Sequence, residues 1–184
     1  MDDLEFNPTL FEFERNNKQV KVTITKPLDD LVIAGRDLAS IPKGQDVTLP
    51  LWAAEALIKA NMAIARESSK LSYEDFQKIL WKEQRETQLQ KLPEDFYFLA
   101  KELLNSLHER AKKETRSLDN VRELAQFETL LRDIVSVRLS KIVKISLRGN
   151  DVPAITNLMP SEEGWLHHRL TALLRSWERG ILGK

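Results

Sequence analysis

Cysteine is missing from this sequence of 184 residues, and no long stretch of apolar residues runs without interruption. The lack of cysteine excludes disulfides, thiolate nucleophiles and thiolate zinc sites, and it fits a reducing, cytoplasmic location. A transmembrane helix needs roughly 18 to 20 consecutive apolar residues, so we expect no membrane contact of that kind.

The sequence also has no formal net charge, because 28 lysines and arginines are balanced by 28 aspartates and glutamates. The chain as a whole therefore has no attraction to nucleic acid or to an anionic membrane, and any such contact must be local. The six glycines form neither a G-x-G-x-x-G nor a Walker pattern, so no cradle for nucleotide phosphates is expected.

Catalytic motifs are scarce as well. The only histidines are His108, His167 and His168, and adjacent residues on a helix point about 100° apart, so the tandem pair cannot easily share one metal ion. Glu162 and Glu163 fall in the first turn of a predicted helix, where acids stabilise the helix dipole. Neither G-x-S-x-G nor H-E-x-x-H is present. We predict no enzyme, no cofactor and no metal site.

The first third of the chain has the pattern of a small β-rich domain. Val20, Val22 and Ile24 alternate with polar residues at the period of two that a half-buried strand requires. Further short extended segments follow, and residues 51–60 predict one helix that ends near Asn61. We place this domain at residues 1–66.

The remaining residues, 67–184, predict a helical domain of about four to five helices, which makes the fold class α+β. Ser72 and Asp75 have the spacing of a capping box at the start of the first helix, which is predicted to run to about Leu89. Pro93 opens the second helix, and a segment from Ser117 or Asp119 runs without glycine or proline to Arg148. The last helix begins near Pro160.

The long third helix of this domain has more apolar residues than one small domain needs. They recur at steps of three and four, and Arg138 falls among them: Val121, Leu124, Phe127, Leu131, Ile134 or Val135, Ile142 and Ile145. A guanidinium in such a place needs a carboxylate or carbonyl partner; alternatively, Arg138 lies at the edge of the stripe and reaches water. We expect the apolar side of this helix to be too extensive for its own chain, so that another polypeptide covers part of it. We also expect Trp81 and Trp177 to lie at exposed or interface positions, and Trp52 to lie in the core of the small domain.

The same helix carries a local excess of positive charge. Between residues 132 and 148 the only acid is Asp133, and three cations share one face, namely Lys141, Lys144 and Arg148. These three are candidates for contact with phosphate or with an acidic partner. A solvated helix face is the alternative explanation.

Three stretches together resemble the GINS family, whose members form a tetrameric complex of DNA replication. Residues 49–57 (LPLWAAEAL) resemble the start of the helix in that family's small domain, and residues 92–97 (LPEDFY) resemble the start of a helix in its larger domain. Residues 138–142 (RLSKI) and 158–163 (LMPSEE) resemble its Arg-x-x-Lys-Ile helix and the opening of its last helix. The order of the domains resembles the branch that includes the second and third partner-of-Sld-five subunits.

The resemblance implies a non-catalytic scaffold subunit of a GINS heterotetramer, which helps to join the MCM helicase to a RecJ-like partner. It implies a nucleoid-associated location in an archaeon and a nuclear one in a eukaryote. Residues of the family core or of a subunit interface would be Leu92, Pro93, Phe96, Tyr97, Arg138, Lys141 and Ile142, and the apolar stripe adds Leu131, Ile134 and Ile145.

A DNA-binding regulator, with a winged-helix-like small domain and a helical dimerisation domain, is the alternative function. Such a small domain should be basic. Residues 1–66 instead hold 8 lysines and arginines against 10 aspartates and glutamates. The only basic residue in the predicted helix there is Lys59.

Overall fold

The structure is a computed structural model that describes residues 6–27, 32–33, 36–37, 41–65, 71–113, 118–148 and 153–183. The chain divides between residues 69 and 70 into two compact units. The boundary predicted between residues 66 and 67 lies outside the described residues. The α+β fold class is confirmed, because a small unit with a sheet precedes a larger helical unit.

The small unit is built on an antiparallel sheet of three strands. Its elements are α1 (Pro8–Asn16), β1 (Gln19–Ile24), β2 (Val32–Ile33), β3 (Arg36–Asp37), β4 (Asp46–Pro50), α2 (Leu51–Lys59) and β5 (Ala63–Ala65). The strand order is β4-β1-β5, with Val20 opposite Leu49 and Ile24 opposite Ala63, while β2 and β3 pair separately. The alternation in β1 buries Val22 as predicted.

Helix α2 packs on this sheet through small side chains. Ala53, Ala54 and Leu57 are buried with the inward residues of β1 and β4. Trp52 is 47 % exposed, so its predicted place in the core is wrong. The two alanines bring α2 close to the sheet, and the Trp52 indole lies on another side of the helix. Asn61 adopts the left-handed conformation after the helix, with φ 55°.

Helix α1 was not predicted from the sequence. Asn7 caps it by accepting a hydrogen bond from the amide of Thr9 at 3.0 Å, and Pro8 occupies the first helical position, where no amide hydrogen is needed. No residue of α1 is buried. In the sequence, Phe11 and Phe13 alternate with Glu12 and Glu14 as they would in a strand, which is why this short helix was not predicted.

The helical unit contains α3 (Tyr73–Arg85), α4 (Phe96–Lys113), α5 (Leu118–Arg148), α6 (Pro153–Thr156) and α7 (Ser161–Leu182). Its core joins aromatic rings of three helices, since Phe76 lies 5.3 Å from Phe96 and 5.1 Å from Phe127 between ring centroids. The 31 residues of α5 extend about 46 Å at 1.5 Å per residue. Among the described helices, none is long and apolar enough to cross a membrane.

The start of α3 is fixed by a capping box, as the sequence predicts. Ser72 Oγ accepts from the amide of Asp75 at 3.4 Å, and the Asp75 carboxylate accepts from the amide of Ser72 at 3.1 Å. The hydrogen bond from the Ser72 amide is the main cause that lowers the pKa of Asp75. The helix ends at Arg85, four residues before the predicted end at Leu89.

Substitution Ser72→Ala is expected to reduce the free energy of unfolding by about 1 kcal/mol, because an amide at the helix start loses its acceptor. Urea denaturation followed by circular dichroism would measure this loss. Ser140→Ala, at an exposed position inside α5, is the control and should change stability by no more than about 0.5 kcal/mol. An equal effect of both substitutions would contradict the capping role.

Candidate functional site: a buried ion cluster and exposed apolar helix faces

Arg138 lies at the centre of the helical unit with no exposed surface. Its Nε and Nη2 donate to the two oxygens of Glu163 at 2.7 and 2.6 Å, a bidentate pair. Its Nη1 pairs with Glu83 and donates to the carbonyl of Gln90 at 2.9 Å, while Nη2 also reaches the carbonyl of Leu158 at 3.3 Å. These five hydrogen bonds match the five N–H groups of a guanidinium.

Lys141, one turn further along α5, completes the cluster. Its ammonium donates to Glu83 Oε2 at 2.5 Å, to the carbonyl of Glu83 at 2.7 Å and to the carbonyl of Gln88 at 2.9 Å. Glu83 also accepts from the amide of Gln90 at 3.0 Å. The segment that follows α3 is therefore held to α5 by backbone groups as well as by charges.

Tyr97 of α4 donates to Glu163 Oε1 at 2.5 Å. Burial, followed by the charge of Glu163, raises the pKa of the Tyr97 phenol, so the phenol stays protonated and keeps donating. Burial alone lowers the pKa of Arg138, but the hydrogen bonds and charge of Glu163 and the charge of Glu83 outweigh this effect and raise that pKa. The guanidinium therefore remains charged.

This cluster fixes how the helices meet. Arg138 on α5 binds side chains from α3 and α7, and α4 reaches it through the Tyr97–Glu163 hydrogen bond. A buried ion pair gains little over an apolar pair in net stability, but the loss of one partner strands the other charge. The arrangement suits a structural role, in which one guanidinium sets the register of the helices of the unit.

The residues predicted for the core or an interface lie mostly inside the unit. Those that are buried or partly buried are Leu92, Phe96, Tyr97, Leu131, Ile134, Arg138, Lys141, Ile142 and Ile145, whereas Pro93 is exposed. They pack within their own chain, and a contact with another subunit stays a prediction. Because the three N–H groups of Lys141 are engaged, the predicted phosphate contact is limited to Lys144 and Arg148.

The two carboxylates of the cluster were not predicted from the sequence. Glu83 follows Phe76 and Leu80 at steps of four and three, so it is an acid on the apolar face of α3. That placement is the signal that could have revealed it. Glu163 was assigned to the helix dipole, but its side chain is buried and turned to Arg138.

Two stripes of apolar side chains remain exposed on α5 and α7. On α5 the predicted stripe is largely covered by the chain itself, and the exposed residues lie on another side, at steps of four: Val135, Leu139, Val143 and Leu147. On α7 three exposed apolar residues also recur at steps of four, namely Leu173, Trp177 and Ile181. Such contiguous apolar surfaces mark protein interfaces.

The second half of α7 runs past the end of α5. Ser146 on α5 and His167 on α7 are hydrogen-bonded at 2.8 Å, and only two residues of α5 follow Ser146, whereas α7 continues to Leu182. The last buried residue of α7 is Thr171. Of the 11 helical residues after Thr171, only Leu174 is partly buried and the others are exposed. A helix of that length is marginal alone in water.

The helical unit matches one protein family. Residues 70–180 match the family model of the GINS complex protein helical bundle domain, Sld5. Among curated proteins, no sequence matches this chain. The family match covers more than half of the chain and agrees with the resemblance carried by residues 92–97, 138–142 and 158–163. The chain therefore belongs to the GINS family and is a subunit of the GINS complex of DNA replication.

Proposed function

We propose that this chain is a non-catalytic scaffold subunit that assembles with other GINS subunits into a heterotetramer. The observation that carries the proposal is the mostly exposed second half of α7, with Leu173, Trp177 and Ile181 exposed along one side. Large aromatic residues of this kind are enriched among the few side chains that dominate interface energies. The exposed stripe of α5 adds to the apolar surface of the same unit.

The scaffold role includes the joining of the MCM helicase to a RecJ-like partner, as the family resemblance implies. The order of the two units supports assignment to the branch with the small domain first. A nucleoid-associated or nuclear location follows from the same role. The buried acids Glu83 and Glu163 are neutralised by Lys141 and Arg138, which supports a structural use of these groups over general acid–base chemistry.

The DNA-binding regulator finds little support in the small unit. Its helix α2 carries a single cation, Lys59, together with Glu55 and the exposed Trp52. A helix that reads a DNA groove needs cations and hydrogen-bonding side chains on its outer face.

Coexpression with the other GINS subunits of the same genome would test the proposal. Size-exclusion chromatography with light scattering should give a heterotetramer, whereas the isolated chain should self-associate or aggregate. Pull-down with MCM helicase and with the RecJ-like protein would then test the joining role. A monodisperse monomer at high concentration that binds no GINS subunit would contradict the scaffold function.

A further inference from the structure

One exposed side of α5 follows a period of seven residues. Four residues recur there at steps of seven, and each of the first three is followed by another residue three positions later. Along the helix these seven residues are Leu118, Val121, Ala125, Glu128, Arg132, Val135 and Leu139. Alternating steps of three and four keep side chains on one narrow stripe, which is the pattern of a coiled-coil contact. We call this stripe the heptad seam.

The heptad seam is exposed along its whole length. The core-facing residues of this part of α5 lie on a different side of the helix, namely Phe127, Leu130, Ile134, Arg138 and Ile142. The next position of the pattern after Leu139 is Ile142, which is buried in the unit, so the seam ends at Leu139. The seam therefore extends about 31 Å along the helix axis and is accessible to another helix of similar length.

Two opposite charges interrupt the apolar residues at the middle of the seam. Glu128 and Arg132 are its only charged members. If a second copy of α5 lay parallel and in register, Glu128 would face Glu128 and Arg132 would face Arg132, and like charges would repel each other. If the second copy lay antiparallel, with a two-fold axis beside residue 130, each Glu128 would face an Arg132 of the other copy. The charges therefore favour an antiparallel pair.

The apolar residues of the seam fit the same antiparallel register. Leu139 of one copy then faces Val121 of the other, and Val135 faces Ala125. Each of these layers joins a larger side chain to a smaller one, which is the combination that fills the space between two helices. The seam is therefore complementary to itself in size as well as in charge.

One contact within the chain reaches the seam. Glu128 Oε1 lies 3.7 Å from His108 Nε2 of α4, and the two side chains are 44 % and 41 % exposed. That separation is too long for a hydrogen bond. The Glu128 carboxylate can therefore still accept hydrogen bonds from a guanidinium across the seam.

We propose that α5 pairs with α5 of a second copy of this chain through the heptad seam, antiparallel and with Glu128 beside Arg132 of the second copy. A surface that is complementary to itself is what a two-fold contact between identical chains requires. The inference rests on the proposed scaffold function for its role, which is to join two copies of the chain within one assembly of GINS subunits.

Disulfide cross-linking of the full chain would test the register, because the sequence has no cysteine. Ala125→Cys combined with Val135→Cys places a thiol opposite each thiol of the second copy. Helix axes about 8–10 Å apart bring facing residues within reach of a disulfide, whereas the two thiols of one chain are about 15 Å apart along the helix and cannot pair. After oxidation with glutathione disulfide, the double variant should give at least about tenfold more covalent dimer than either single variant.

Charge reversal would test the same pairing without cysteines. Arg132→Glu should weaken self-association about tenfold in sedimentation equilibrium, because four carboxylates then meet beside the two-fold axis. Arg132→Glu combined with Glu128→Arg should restore the affinity to within about twofold, since the two charges are exchanged in both copies. Lys144→Glu is the control, because it makes the same change at an exposed position of α5 outside the seam, and it should leave the affinity unchanged.

Three results would overturn the proposal. They are no cross-link in the double cysteine variant, equal cross-linking of the single variants, which would show a parallel pair, and a combined charge exchange that stays as weak as Arg132→Glu alone, which would assign the seam to a different polypeptide. Coexpression of the same variants with other GINS subunits separates this proposal from the scaffold function. Heterotetramers that form without the α5 cross-link contradict only the pairing, whereas a cross-linked chain that binds no GINS subunit contradicts the scaffold function.

Discussion

Arg138→Met is expected to lower the free energy of unfolding by about 3–5 kcal/mol, because two buried carboxylates lose their shared partner. Glu83 and Glu163 have almost no exposed surface, so water cannot replace the guanidinium. Urea denaturation of the full chain would measure the loss.

Two controls make this expectation specific to the ion cluster. Arg132→Met changes an exposed arginine of the same helix and should alter stability by less than about 0.5 kcal/mol. Arg138→Met combined with Glu163→Gln should recover about 1–2 kcal/mol, since Glu83 keeps its pair with Lys141 and Glu163 no longer carries an unpaired charge. A loss of under about 1 kcal/mol for Arg138→Met alone would show that the cluster does not hold the helices together.

Trp177→Ala is expected to weaken binding of the partner GINS subunit by about 2 kcal/mol or more, which is roughly 30-fold. Trp177 is 66 % exposed on the second half of α7, so its removal costs the isolated chain little. The dissociation constant of the coexpressed complex, measured by titration or by analytical ultracentrifugation, would show the effect.

Trp81→Ala is the matched control for this experiment, because it removes an equally exposed indole from a different helix. It should leave subunit binding within about twofold of the wild type. If Trp177→Ala assembled as tightly as the wild type, the projecting half of α7 would not be the interface, and the scaffold proposal would lose its main support.

Much of the fold follows from local sequence patterns. The alternation around Val22 predicts β1, the Ser72 and Asp75 spacing predicts the start of α3, and the absence of glycine and proline predicts the length of α5. These features depend on neighbours a few residues apart, which the sequence displays directly. Helix α1 escaped prediction because Phe11 and Phe13 alternate with acids as they would in a strand. The early end of α3 escaped prediction because it depends on hydrogen bonds from the distant Lys141 to carbonyls at and after the end of that helix.

The candidate site likewise has some features that the sequence predicts and others that depend on tertiary packing. The sequence alone determined that Arg138, lying on an apolar stripe, needs a buried partner, and that Trp81 and Trp177 are exposed. Only the tertiary structure decided that the partners are Glu83 and Glu163, which lie 55 and 25 residues away along the chain. Tertiary packing likewise decided which side of α5 is covered. Periodicity specifies that a helix face is apolar or charged, but pairing between distant faces depends on how whole helices pack, and no local pattern encodes that.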